Sequence, residues 1–446
     1  MYSGALEFVQ TDVSLPGNNK LPVAVGRRLV TGTYGPSVPK QFGTWDLEIP
    51  HVHGVFSASK GWVDISSTNQ RCTNYGVPPN VTGSGTSAWK PGEYWHGNFM
   101  YVPGVGDQEI LRSTSPSLSP APLITRDLWT ITCNNLQSVN AQSKDNGQGF
   151  TAKAPDGTSY RFDWLATRVN DPLEKDTSAP EGLAAASAPS SAPLAGQSRL
   201  NPSPTISGSN MLQRREVWIM PTQVTDRFGN WVRYTYDTTD LWKVTRIESS
   251  DGRVITLQYN NTGTQQITSV FDGTRTWYYA YSGGALNVVT LPDNSAWQLG
   301  GATALLMDMN YNEGRTGCDN GGFIVSSPLT ASLVHPSGAT GTFTLTPTQH
   351  GRSYVTNDCR YDVYQLPAYA YYPRVFDTFA LTQKSLTGPG LPSGGLVWSY
   401  AYGTPNASWA TCSGCVDTKS VMVTGPDNFV TRSSSVTVFV PPKASC

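Results

Sequence analysis

A turn-and-strand unit recurs through the middle of the chain, and it limits the fold more than any other feature. Asp226-Arg227-Phe228-Gly229-Asn230 leads into Trp231-Val232-Arg233-Tyr234-Thr235-Tyr236-Asp237. Ser250-Asp251-Gly252-Arg253 leads into Val254-Ile255-Thr256-Leu257-Gln258-Tyr259, and Phe271-Asp272-Gly273 into Thr276-Trp277-Tyr278-Tyr279-Ala280-Tyr281. Pro292-Asp293-Asn294-Ser295 then leads into Ala296-Trp297-Gln298-Leu299. The turn acids Asp251, Asp272 and Asp293 lie 21 residues apart, and the strand-end tyrosines Tyr236, Tyr259 and Tyr281 lie 23 and 22 apart. A fixed period with an Asp-Gly turn and an aromatic strand reads as one β-hairpin per repeat. A lone hairpin cannot bury its face, so neighbours stack side by side into one sheet. The aspartates and glycines read as residues for the positive φ of the turns. The tyrosines and tryptophans read as cross-strand packing surface. The spacing predicts successive antiparallel strands over residues 217–299, with turns near Gly229, Gly252, Gly273 and Asn294.

Composition agrees with a β protein. Of 446 residues, 14% are charged and 11% aromatic, with 43 glycines and 32 prolines; soluble domains average roughly 25% charged. The formal charge of −1 argues against a dedicated nucleic-acid or anionic-membrane binder. No run of about 18 apolar residues could span a bilayer as a helix; stretches such as Ala302 to Met307 are strand-length. Met1-Tyr2-Ser3-Gly4-Ala5 has neither the basic nor the apolar region of a signal peptide. The chain therefore stays inside, leaves by a route without such a signal, or has lost its upstream part. Seven cysteines, at 72, 133, 318, 359, 412, 415 and 446, are too few for a disulfide scaffold, and their odd number leaves one thiol unpaired or pairs it between chains.

Five regions follow. Residues 1–175 are an N-terminal β region. Leu6 to Val13 and Leu21 to Leu29 flank the turn Pro16-Gly17-Asn18-Asn19, and Trp45 to Ile49 alternates as a half-buried strand. Gly149 to Lys153 and Tyr160 to Trp164 flank Pro155-Asp156-Gly157-Thr158, a hairpin signal. Residues 176–209, rich in Ala, Ser and Pro, read as a flexible loop or linker, with a short helix over Glu181 to Ala188 as the weaker reading. Residues 210–300 hold the hairpin repeats, and 301–432 continue as strands. Residues 433–446 depart from the pattern: Phe429-Val430-Thr431-Arg432 starts a strand, but Ser433-Ser434-Ser435 and Pro441-Pro442 follow where aromatics belong. This suggests a reading frame lost after about Arg432 and an acquired tail, mobile or at best a poorly packed edge strand.

Arg233-Tyr234-Thr235-Tyr236-Asp237 and the Asp-Gly turns at this period resemble the Tyr-Asp repeats of the bacterial Rhs (rearrangement hot spot) family. Thr11-Asp12-Val13-Ser14-Leu15-Pro16-Gly17 with Arg27-Arg28 is similar to the N-terminal region of long Rhs proteins. Pro155 to Trp164 and Phe376-Asp377 to Gly388-Pro389-Gly390-Leu391 carry the likeness further. The resemblance implies a spiral of β-strands closing into a hollow shell around a variable C-terminal toxin. It also implies a secreted or cell-surface location, possible secretion-system components as partners, and relatives among insecticidal-toxin components. The family's self-cleaving Asp-Pro-x-Gly signature has no match, since Asp171-Pro172-Leu173-Glu174 lacks the glycine. The chain thus resembles shell wall without cargo or protease, its repeat positions being Gly229, Arg233, Tyr234, Tyr236, Asp237, Asp251, Gly252, Tyr259, Asp272, Gly273, Tyr281 and Asp293.

Chemistry-bearing motifs are sparse. No nucleophile elbow, zincin helix, P-loop or dinucleotide fingerprint occurs, so no catalytic residue, cofactor or metal is assigned. His51 and His53 share a strand face, with His96 as a third conceivable zinc ligand, but two polar residues beside a turn is the better reading. Cys412-Ser413-Gly414-Cys415 reads as a local disulfide or a pair of thiols in a turn. Asp308 to Asp319 echoes a calcium loop with its glycine misplaced. Asp46 and Glu48 read as a solvated face. Tyr361, Tyr364, Tyr369, Tyr371 and Tyr372 could stack sugars, which makes a cell-surface carbohydrate-binding module the rival function. The primary expectation is an all-β, non-catalytic wall segment. The rivals differ in where the aromatics point: inward for a wall, in an exposed coplanar row for a lectin.

Overall fold

The computed structural model describes residues 6–31, 40–85, 88–113, 123–137, 145–176, 209–260, 265–306, 327–356, 359–361, 367–370 and 374–439. The fold is all-β, and every pair of strands is antiparallel among the described residues. β1 (Glu7–Leu15), β2 (Val23–Val30) and β3 (Asp46–Leu47) form a small sheet in that order. The segment around Asp46 is not the half-buried strand its alternation predicts. Trp45, Asp46, Leu47 and Ile49 are all buried, because the segment is enclosed on both sides.

The next strands close on themselves. They are β4 (His51–Ser57), β5 (Val81–Thr82), β6 (Ala88–Trp89), β7 (Phe99–Val102), β8 (Gly106–Arg112), β9 (Leu123–Thr125), β10 (Thr130–Asn135), β11 (Gln148–Lys153), β12 (Ser159–Asp176) and β13 (Ser209–Thr225). β5 and β6 pair only with each other, beside the short helix α1 (Pro91–Tyr94). β7 to β13 pair consecutively, and β4 pairs with both β7 and β13, which completes a ring. Its core includes Phe56, Trp62, Tyr94, Ile110, Phe150 and Phe162. A Cys72–Cys133 disulfide ties the segment between β4 and β5 to β10. The tract read as a linker, whose residues 177–208 lie outside the described residues, connects the two paired strands of one hairpin, Asp176 lying opposite Ser209.

β13 also starts a ribbon. Arg214 to Ile219 pair with β4, whereas Gln223 to Thr225 pair with β14 (Trp231–Tyr236). Pro221, which has no N–H to offer, stands at the switch between the two partners. The ribbon continues through β15 (Val244–Ser249), β16 (Val254–Tyr259), β17 (Ile267–Phe271), β18 (Thr276–Ser282), β19 (Ala285–Thr290) and β20 (Ala296–Gln298). Then come β21 (Leu329–Val334), β22 (Thr340–Gly351), a separate backbone hairpin β23 (Cys359–Tyr361) and β24 (Pro367–Ala370), and β25 (Val375–Thr387). β26 (Leu396–Tyr402), β27 (Thr418–Thr424) and β28 (Val430–Val436) end it. Ring and ribbon form one sheet of 21 strands among the described residues. The span read as strand beyond 301 opens instead with a 3-10 turn, Gly300–Leu306.

The predicted turns are where the period puts them. Gly229, Gly252 and Gly273 have φ of 86°, 86° and 98°, and Asn294 has 67°. A Cβ would meet nothing within 4 Å at those three glycines, so positive φ alone requires them. The aspartates do not share that role, as described below. At the far end, β28 pairs with β27 through Ser433 to Val436 without a register shift; Ser434 and Val436 are exposed there, Ser433 and Ser435 half-buried. Thr437 differs from the loose tail the sequence suggests: it is buried, and its hydroxyl lies 2.6 Å from that of Ser353. Residues 440–446 lie outside the described residues.

The small N-terminal sheet covers the ribbon's inner face. Val23, Val25, Leu29 and Trp45 share one core with Val232, Ile247, Ile255, Val270, Tyr279 and Leu345. Arg253, beside a repeat turn, fixes the approach. It pairs with Asp251 at 2.8 Å and donates to the carbonyls of Leu15 (3.1 Å) and Leu21 (3.2 Å) and to Asn19 Oδ1 (3.1 Å). Asp251 in turn accepts from the Asn18 N–H at 3.2 Å. Arg253→Ala leaves two carbonyls of the β1–β2 turn without this donor. It should cost about 2 kcal/mol of stability and speed hydrogen exchange over residues 15–21; unchanged exchange there would refute the docking role.

Candidate functional site

The repeat tyrosines form one device. Each stands at a β-bulge, where the following strand carries an extra residue: the shifts fall at Thr235/Tyr236, Gln258/Tyr259 and Ala280/Tyr281. Each hydroxyl reaches back to a carbonyl of the preceding strand. Tyr236 donates to Pro221 O (2.7 Å), Tyr259 to Val244 O (3.0 Å) and Tyr281 to Ile267 O (2.6 Å). Val244 is the residue paired with Tyr236, and Ile267 the residue paired with Tyr259. Consecutive repeats are therefore stitched by one tyrosine each. Tyr402 repeats the move on Leu381 O at 2.7 Å. Burial raises the pKa of all four phenols, that of Tyr402 to about 12, so they act as neutral donors. Tyr234 packs against the same core and is likewise pushed up by burial.

The turn acids are hydrogen-bond acceptors. Asp226, Asp272 and Asp293 each accept the N–H two residues on, at 2.8, 2.9 and 3.0 Å, which is an Asx turn. The aspartates keep negative φ while the neighbouring glycines, or Asn294, take the left-handed conformation. Asp237 caps the loop after its strand, accepting from Thr239 N (2.7 Å), Thr239 Oγ1 (2.6 Å) and Asp240 N (2.9 Å). The Thr239 hydroxyl and these N–H groups hold its carboxyl down to about 2. Arg233 donates to Gln223 at 3.0 Å and lies 4.1 Å over the Trp231 ring. All twelve repeat positions thus have structural contacts or backbone roles.

A buried charge network joins the small sheet to the ring. Lys40 Nζ is 2.8 Å from Asp46, Arg168 Nη1 is 2.6 Å from Asp46, and Arg168 Nε is 2.7 Å from Glu216. The Arg168 guanidinium lies 4.9 Å from the Trp218 ring and 5.1 Å from Trp242. Burial opposes charge here, but the two cations overcome it and hold Asp46 well below the usual carboxylate range; Arg168 lowers Glu216 too. Asp46 and Glu48 are therefore not a solvated face: Glu48 accepts from Tyr101 OH at 2.6 Å. His51 stacks on Trp218 at 3.5 Å, and its Nδ1–H donates to Ile49 O at 2.9 Å. Desolvation, and then His53, drops its pKa to about 3.

Other candidates resolve locally. The His51 and His53 rings do share a face, 5.0 Å apart, and His53 bonds Asp107 at 2.9 Å. Among the described residues, no group of three or more His, Cys, Asp or Glu could hold a metal ion. Cys412 and Cys415 are paired as a disulfide. The 308–319 loop and the side chains of the 361–372 tyrosine cluster lie outside the described residues. The bulge escapes a reading of the repeat's turns and tyrosines, although it has a signal. Val244-Thr245-Arg246-Ile247, Ile267-Thr268-Ser269-Val270 and Leu286-Asn287-Val288-Val289 each set buried residues three apart with Thr or Asn between.

No protein family and no curated protein matches the chain. Among solved structures it is similar to a chain of the TcdB2-TccC3-Cdc42 complex, at 9% identity and a TM-score of 0.19. The match covers 86% of this chain and 20% of that one.

Tyr259→Phe removes the donor for Val244 O. It should cost about 1–3 kcal/mol in urea unfolding, whereas Tyr278→Phe, at a ring 59% exposed, should stay within about 0.5 kcal/mol of the parent. Equal effects would remove the stitch from the argument. A pH effect follows from His51. The folded chain keeps it neutral down to about pH 3, while the unfolded chain takes up the proton near 6.5. Stability therefore falls as pH drops through that window, by at most about 1.4 kcal/mol per pH unit from this group. His51→Gln should reduce the stability lost between about pH 7 and about pH 5 by about 1–2 kcal/mol. An unchanged slope would contradict a buried neutral ring.

Proposed function

We propose that this chain is a structural, non-catalytic wall segment of an Rhs-type β-shell. The observation that carries the reading is the direction of the repeat aromatics. Tyr236, Trp277 and Tyr279 are buried in the ribbon's inner core, and Tyr234, Tyr259, Tyr281 and Trp297 pack against it. That is the arrangement of a wall whose rings join strand to strand, and it leaves them unavailable as an exposed sugar platform. The likeness of the Tyr-Asp repeats supplies the family; the stitched, uniformly antiparallel ribbon supplies the mechanics. Partners under this reading are the remainder of a shell and an enclosed toxin, with export to the cell exterior. The Cys72–Cys133 and Cys412–Cys415 disulfides suit an oxidising compartment. No catalysis is assigned, because the buried carboxylates and histidines described above are engaged in structural contacts.

In its native source, cross-linking mass spectrometry should join this chain to further Tyr-Asp repeat polypeptide, and proteolysis of the intact particle should spare an enclosed segment. The purified chain should bind no glycan on an array and turn over no ester, peptide, glycoside or phosphate substrate. Glycan binding lost on Tyr278→Ala would favour the carbohydrate-binding alternative. Turnover abolished by a single substitution would overturn the non-catalytic assignment.

A further inference from the structure

The two disulfides among the described residues differ in kind. Cys72 is wholly buried, and its bond to Cys133 joins residues 61 apart. Cys412 and Cys415 are half-buried and three apart. Ser413 and Gly414 between them are exposed, and a Cβ at Gly414, whose φ is 75°, would meet nothing within 4 Å. Loop-closure entropy grows with loop length, so the short bridge restrains the unfolded chain less than the long one.

The chain on either side of the short bridge is held without it. On one side, Ala410 N–H donates to Val355 O at 2.7 Å and Cys412 N–H to Trp409 O at 3.0 Å. On the other, Thr437 N–H donates to Asp417 O at 2.6 Å, and Ser353 Oγ lies 3.0 Å from Val416 O. Tyr354 spans the two sides. It takes a left-handed conformation, φ 60°, which is uncommon outside glycine. Its N–H donates to Ser408 Oγ at 2.9 Å, and its hydroxyl donates to Cys415 O at 2.7 Å. None of these bonds involves a sulfur, and together they hold the two cysteines within bridging reach, their Cα atoms 5.9 Å apart.

We propose that Cys412–Cys415 is a reversible thiol–disulfide exchange site whose co-reactant is a dithiol. A thiolate of the dithiol attacks one of the two sulfurs. The Cys412–Cys415 bond breaks, a mixed disulfide forms, and the other cysteine leaves with the electron pair as a thiolate. The second thiol of the co-reactant, once deprotonated, displaces the cysteine still bound. The co-reactant departs as a disulfide, oxidised by two electrons, and its two thiol protons end on Cys412 and Cys415. The open tip at Ser413 and Gly414 gives the incoming thiolate access, and access governs the rate of exchange. The anchored flanks keep the reduced pair together, so closing again is an intramolecular step at high effective concentration. This chemistry lies outside the repeat devices and does not rest on the wall-segment reading.

The test uses the full, native chain, held in dithiothreitol, alkylated at intervals and peptide-mapped. Cys412 and Cys415 should be labelled at least about tenfold faster than Cys72 and Cys133, with the melting temperature little changed. After the reductant is exchanged for oxidised glutathione, the pair should close again at a rate independent of protein concentration. Cys412→Ser and Cys415→Ser each leave one thiol and should hold glutathione as a lasting mixed disulfide that the wild type does not accumulate. Tyr354→Phe keeps the ring but loses the bond to Cys415 O, and should lower the equilibrium constant for closure against glutathione about fivefold. Labelling of Cys412 and Cys415 only together with Cys72 and Cys133, or a reduced native pair that does not reclose, would overturn the proposal. So would a large fall in melting temperature on reducing Cys412–Cys415 alone, which would make the bridge a structural one. Closure unaffected by Tyr354→Phe would overturn the positioning role of that residue.

Discussion

One extra residue per repeat governs the ribbon. A β-bulge sets two residues against one, bends its strand and sharpens the local twist. Here it recurs in β15, β17 and β19, always opposite the repeat tyrosine. The bulge also resets the pleat. Val244 and Ile247, Ile267 and Val270, and Leu286 and Val289 are buried three apart rather than two, so both ends of each strand still face the core. A bend at a ladder's end leaves carbonyls without their backbone partner. The tyrosine hydroxyl answers that need from one strand away, and its ring covers the gap. Bulge and tyrosine are therefore two halves of one solution: the first curves the sheet, and the second satisfies the polar groups that curving exposes.

Where ring meets ribbon, the structure relies on charge. The Lys40–Asp46–Arg168–Glu216 network brings together the small sheet, β12 and β13. Replacing such a network by apolar residues is often neutral or stabilising, whereas deleting one member leaves a buried charge uncompensated. Its contribution is best read as register. Arg168 lies against both Trp218 and Trp242 while it bonds Asp46 and Glu216, which ties β3 to the β12–β13 hairpin. A purely apolar contact would tolerate a slip of the small sheet along the ribbon. Asp12, Arg27 and Tyr279 repeat the logic further along, with Arg27 at 3.0 Å from Asp12 and Tyr279 OH at 3.2 Å from it. Burial outweighs the arginine at Asp12 and raises its pKa.

Local features are legible in the sequence, and long-range ones are not. The turns at Gly229, Gly252, Gly273 and Asn294 are fixed by residues adjacent in the chain, and the Asp-Gly period announces them. The hairpin at Gly157 is legible for the same reason. The turn aspartates mislead, because both a positive φ and an Asx turn favour Asp at such positions, and composition does not separate them. Asp46 reads as a solvated residue because alternation describes one strand, not what the rest of the chain stacks on it. Its partner Arg168 lies 122 positions away. Residues 176–209 read as a flexible loop or linker, and the pairing of Asp176 with Ser209 places the tract within one hairpin. A polar tract can be a hairpin connection as readily as a linker, and only the pairing of its flanks distinguishes them.

The same constraint sets the partners of many polar side chains. A sheet that bends repeatedly and closes a ring must satisfy backbone groups wherever its ladders end. In this chain the hydroxyls of Tyr236, Tyr259, Tyr281 and Tyr402 go to carbonyls, and the carboxylates of Asp226, Asp237, Asp272 and Asp293 go to N–H groups. Arg71 shows the extreme case inside the ring: its guanidinium donates to Trp62 O, Gln148 O and Asn146 O. Each of these groups is held in place by the bond it makes, and releasing it for a reaction would open the ladder it completes. The polar groups named here each complete a ladder end or a turn of the sheet.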